Sequence, residues 1–96
     1  MQNHTGHLLK EEKPILCGLN LLMVEIPDSN TGEVTRSGVF TTRTDRLIEP
    51  GLYQIALPNN REVDIQIRNS LPFGRKLAVY FTVVGEFRHK SIEAVA

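Results

Sequence analysis

Apolar residues in this chain gather in runs set apart by turn-forming clusters. The first run, ILCGLNLLMVEI, covers residues 15–26. Its period fits neither helix nor strand alone. Gly18 weakens a helix there, and the turn cluster that follows favours a strand. PDSNTG, residues 27–32, reads as a loop: Pro fixes φ, Asp and Asn bond their own backbone, and Gly supplies positive φ. EVTRSGVFTTR, residues 33–43, is β-branched with weak alternation. It predicts an edge strand in which Gly38 marks a bulge. TDRLIEPG, residues 44–51, predicts a connection ending in a Pro-Gly turn.

The clearest pattern lies in LYQIAL-PNN-REVDIQIR. A two-residue loop sets Ile55 against Asp64 and Leu57 against Glu62, mixing apolar with charged. A three-residue loop, Pro58 to Asn60, sets Ile55 against Val63 and Tyr53 against Ile65, with Gln54 against Asp64. One face becomes mostly apolar and the other mostly polar. A one-residue slip inverts the faces, so the pattern selects the three-residue loop. Its last residue wants the left-handed region, which Asn60 tolerates. The predicted core face is Tyr53, Ile55, Leu57, Val63, Ile65 and Ile67. Glu62 and Asp64 fall on the solvent face. NSLPFG, residues 69–74, predicts a second loop, and RKLAVYFTVVGEFRH, residues 75–89, the last long strand.

These elements predict an all-β fold: a small barrel or sandwich of five or six mostly antiparallel strands with little helix. Residues 1–14 read as a polar lead-in, of which HLLKEEK suits one helical turn or an edge strand. Residues 15–89 form a single β domain, and KSIEAVA, 90–96, forms a C-terminal tail.

Two strands depart from simple alternation. In the last, Leu77, Val79, Phe81 and Val83 face inward, which turns Ala78, Tyr80, Thr82 and Val84 outward. In the first, Leu16, Leu22, Val24 and Ile26 share one face, and Ile15, Cys17, Leu19, Leu21 and Met23 the other. Apolar residues on both faces call for a layer on each side, and the chain has no helix to supply the second. Leaving four such side chains in water forfeits on the order of 1.5–3 kcal/mol each. The outer face therefore reads as a homo-oligomer interface, for a dimer or larger, built on Leu16, Leu22, Val24, Ala78, Tyr80 and Val84.

Composition adjusts this picture little. A chain of 96 residues has a small core, and 41% apolar with 23% charged residues is ordinary for a globular domain. Eleven basic residues balance eleven acidic ones, so bulk attraction to nucleic acid or to an anionic membrane is not expected. The charge tilts only from 5 basic and 7 acidic in residues 1–60 to 6 and 4 in residues 61–96. One cysteine, Cys17, excludes an internal disulfide framework, and its apolar neighbours predict a buried, inert thiol. The N-terminal MQNHTGHLLKEEKP holds no apolar segment of signal-peptide length, and the longest apolar run, 12 residues that include Asn20, is too short to span a bilayer; the expected setting is cytoplasmic with no membrane partner.

Candidate chemistry is sparse. Arg68, Arg75, Lys76, Tyr80 and Arg88 compose a local patch suited to single-stranded nucleic acid or another anion, through stacking and phosphate contacts. The competing reading is that these cations close strand ends. His4 and His7, with His89 or Cys17, lack a second pair at ligand spacing, so no metal is expected. No phosphate loop, nucleophile elbow or HExxH is present, and no cofactor is implied. Asp45 and Glu49, beside Arg43 and Arg46, read as surface ion pairs. The loops PDSNTG and NSLPFG, with Arg43 and Arg46, are candidate walls for a small ligand. The sequence favours a non-enzymatic, self-associating binding module. Nucleic-acid or anion binding stands second, and an enzyme with a site at a subunit junction third.

Overall fold

Six strands account for the regular structure: β1 (Gln2–Lys10), β2 (Lys13–Pro27), β3 (Val34–Thr42), β4 (Gly51–Leu57), β5 (Arg61–Phe73) and β6 (Lys76–His89). The computed structural model describes residues 2–43 and 48–89. The Asp45 and Arg46 pairing and the tail at 90–96 lie outside the described residues. Every pairing is antiparallel, and the strands close into a barrel in the order β1-β2-β3-β6-β5-β4. No helix of the described residues is long and apolar enough to cross a membrane.

The hairpin β4–β5 has the register that alternation selects. Ile55 pairs with Val63, Tyr53 with Ile65 and Gln54 with Asp64. Asn59 and Asn60 both take positive φ, at 66° and 59°. All six residues of the predicted core face are buried. Leu77, Val79 and Phe81 of β6 and Leu19, Leu21 and Met23 of β2 join them, with Leu8 and Phe40. Side chains thus fill the barrel, as its small strand number requires. Phe40 and Phe81 meet at its centre, their ring centroids 6.2 Å apart and tilted by 40°.

Several expectations change. Residues 2–10, read as part of a lead-in, are β1, which closes the barrel by pairing with both β2 and β4. β3 is no edge strand, since β2 and β6 flank it. Gly38 is not a bulge: the register runs through it unbroken on both sides. The bulge lies at Gly18, where pairing steps from Gly6–Leu19 to Leu8–Leu16 and φ is 66°. This extra residue changes the phase of β2, so Leu16 packs against the core instead of facing out with Leu22. Residues 69–73 are strand and not loop; Pro72 pairs with Leu77. Proline is tolerated there because β4 pairs with β5 only as far as Ile67, which leaves that side of β5 without a ladder among the described residues. Cys17 is exposed at the Gly18 bulge, not buried.

Candidate interaction face and barrel mouth

Two features stand out: one outside the barrel and one at its end. The outer face comes directly from strand register. Across β2, β3 and β6 the cross-strand partners are Leu22–Val39–Tyr80, Val24–Ser37–Thr82 and Asn20–Thr41–Ala78, with Ile26–Thr35 at one end and Val84 following on β6. These twelve outward positions on three neighbouring strands carry no charge, in a chain that is 23% charged. Ile26, Tyr80 and Val84 are exposed at 54%, 43% and 44%. Leu22, Val24 and Val39 are half-buried, and Ala78 is buried beneath its neighbours. Leu71 and Phe73 on β5, both exposed, extend the face past Ala78. A shallow depression of about 400 Å³ lies beside Tyr80, bordered by Ser37, Arg68 and Asn69.

Of the residues read as an anion patch, the structure brings together Arg68 and Tyr80 only. Arg68 is the extra residue of a bulge between Ile67 and Asn69, and Asn69 is the partner of Tyr80. Arg75 and Lys76 sit exposed at the β5–β6 turn. Arg88 lies near the far end of β6, roughly 35–40 Å away along an extended strand. It is also engaged. Its Nη2 donates to Glu62 Oε1 at 2.6 Å and to Asp64 Oδ1 at 3.0 Å. The hydrogen bond to Asp64 comes first in raising the Arg88 guanidinium above its ordinary value; burial opposes it, and Glu62 adds to it.

This pairing also revises the place of Glu62. The solvent-face carboxylate of the alternation pattern is only 2% exposed. β6 bulges between the Glu62–Arg88 and Asp64–Val84 pairs, and the cross-strand partner Arg88 caps the carboxylate. The two histidines separate as well. A spacing of three puts side chains on opposite faces of a strand. His4 lines the barrel mouth, while His7 accepts a hydrogen bond at Nδ1 from the Gly18 N–H at 3.0 Å. Among the described residues, no three His, Cys, Asp or Glu side chains gather in a way that holds a metal ion.

The mouth is built from inward positions that stop being apolar. Along β2, Leu21 and Met23 give way to Glu25. Along β3, Phe40 and Gly38 give way to Arg36. Along β5, Ile65 and Val63 give way to Arg61, and along β1, Leu8 and Gly6 give way to His4. Past its bulge, β6 supplies Phe87, which packs against the core. Together they line a cleft of about 350 Å³. The Arg36 and Arg61 guanidinium carbons lie 5.6 and 5.8 Å from the centroid of the same Phe87 ring. Arg36 Nε donates to Glu25 Oε1 at 3.4 Å. Among the described residues Arg61 has no carboxylate partner within ion-pair distance.

The sequence reading missed Glu25, Arg36, Arg61 and Phe87. The signal was present: each of the first three sits an even number of residues from a core side chain on an unbulged stretch, so it had to face inward. Phe87 was hidden by the β6 bulge. No protein-family model matches the chain, no curated protein matches it, and no solved structure matches it.

Proposed function

We propose that this protein is a non-enzymatic binding module that associates with a second copy of itself through the outer face of β2, β3 and β6. The observation that carries this reading is the run of twelve uncharged outward positions around Leu22, Val39 and Tyr80. The barrel pairs most of its strands on both sides and leaves only short stretches of edge among the described residues, at the end of β5 and the start of β1, so the broad outer face is the larger surface for association. A face without charge meets its own image without like-charge repulsion, which suits the two-fold pairing most homo-oligomers adopt. Three strands about 4.8 Å apart and four outward rows about 6.7 Å apart span roughly 400 Å² in projection. A stable interface needs about 600 Å² or more from each partner. Leu71 and Phe73 must then contribute, and the dimer should be of moderate affinity.

Light scattering on a size-exclusion column, over a hundredfold range of protein concentration, tests this. A mass that rises from one chain to two with concentration supports the reading. A single-chain mass throughout sinks it.

A further inference from the structure

We infer that the cleft at the barrel mouth, between His4, Glu25, Arg36, Arg61 and Phe87, binds a small carboxylate with a short apolar body. This site meets the outer face at Val24, but its charged groups all belong to one chain, so it does not depend on self-association. Its cations are pre-arranged. Both guanidiniums lie against one aromatic ring, which limits the freedom they would lose on binding. Arginine presents a planar fork that matches a carboxylate with two parallel hydrogen bonds. Glu25 occupies Nε of Arg36, which leaves Arg61 as the cleft's cation without a carboxylate partner among the described residues.

Charge then selects the ligand class. Among the described residues that line the cleft, two guanidiniums and one carboxylate leave one formal positive charge apart from His4. A monoanion balances it. A dianionic phosphate brings a second negative charge beside Glu25, and the two repel. Met23, Val24 and Phe87 supply apolar wall for the rest of the ligand. At about 350 Å³ the cleft sits at the lower end of the roughly 300–1,000 Å³ range of ligand sites, so the body must be small.

The test is a nitrogen-15 NMR titration of the intact chain at constant ionic strength with benzoate, phenyl phosphate and benzyl alcohol. Benzoate should shift the signals of Glu25, Arg36, Arg61 and Phe87 saturably. Benzyl alcohol, the same body without the charge, should bind at least about tenfold more weakly, as should benzoate to Arg61→Gln, since a charge-assisted hydrogen bond is at stake. Phenyl phosphate should bind more weakly than benzoate, and Glu25→Gln should remove that difference. Benzyl alcohol binding as tightly as benzoate overturns the inference on the unmodified protein, whatever the variants do. So does the absence of saturable shifts in the cleft, or phenyl phosphate binding as tightly as benzoate.

Discussion

Gly38 faces inward in a strand where its neighbours on the same face are Arg36 and Phe40. A Cβ added there would sit 2.5 Å from Cζ of Phe81 and 2.7 Å from the Leu22 carbonyl oxygen. Neither can yield: the Phe81 ring is 2% exposed and the carbonyl belongs to the β2–β3 ladder. Replacing strand glycine with alanine ordinarily gains about 0.5–1 kcal/mol. Overpacking a filled core costs about 1–3 kcal/mol, so the clash should win. Gly38→Ala should therefore lose stability in urea denaturation, and an unchanged midpoint would show that the rings do not pack as described. Tyr53 makes a different kind of contact. Its hydroxyl donates to the Glu49 carbonyl at 2.8 Å, and Lys10 Nζ lies 4.3 Å from its ring centroid. Burial first, and the Glu49 carboxylate second, raise its phenol above the ordinary 10.0. The folded chain thus holds this proton more tightly than the unfolded chain does. The stability this contributes is complete below about pH 10 and is lost as pH rises through the folded value. Tyr53→Phe should lose about 1 kcal/mol with the hydrogen bond at neutral pH. Its stability should also fall less steeply than the parent's above pH 10, which denaturation at a series of alkaline pH values would measure. Tyr53 was legible as a core residue from alternation alone. The need for glycine at 38 was not, because it depends on the Phe81 ring across the barrel, more than forty positions away in sequence.

Among the elements, the turn between β1 and β2 is the least comfortable. Lys10 pairs with Lys13 across a two-residue loop, and Glu11 and Glu12 both take positive φ, at 52° and 68°. Such hairpin turns favour Asn-Gly, since a glutamate in the left-handed region strains against its own carbonyl. The Glu12 N–H donates to Gln54 Oε1 at 3.2 Å, a bond any residue but proline retains. Converting Glu11→Gly should stabilise the chain by about 1 kcal/mol, since glycine takes the left-handed region without strain. That corresponds to a rise of about 4–8 °C in the melting temperature of a domain this size. A melting temperature that falls would count against this turn geometry. The same element shows what hides a strand from sequence reading. The hairpin β4–β5 was readable because every second residue on one side is large and apolar. In β1 the inward positions are His4, Gly6 and Leu8, so alternation never shows itself. In β2 the eye follows Leu16 to Leu22 as one face, but the bulge at Gly18 shifts the phase and Leu16 turns to the core. Bulges arise from the geometry of closing the barrel, a long-range condition that local pattern does not encode.

On the scale of the whole molecule, two-sided apolar strands were legible and their consequence follows from closure. The barrel has one inside, which Leu8, Phe40, Ile55, Val79, Phe81 and their neighbours fill. The outward rows of β2, β3 and β6 are what remains. Elsewhere charges mark the outside: Arg88 lies over Glu62 and Asp64, and Arg68 stands at its bulge. The uncharged face ends where those begin. Tyr80 lies in its central row, next to Val39, and is 43% exposed with its ring away from the core. Tyr80→Lys places an ammonium at the middle of the face on each copy, so a two-fold pairing brings two like charges together and desolvates both. A position this exposed contributes little to the fold, and surface substitutions commonly alter stability by less than about 0.5 kcal/mol. If the face is a subunit junction, the parent should melt at a temperature that rises with protein concentration, because association stabilises the folded state by mass action. Tyr80→Lys should melt at one temperature at every concentration, close to that of the parent at its most dilute. Concentration-independent melting of the parent, or a variant that still tracks concentration as the parent does, would place the copies elsewhere or leave the chain alone.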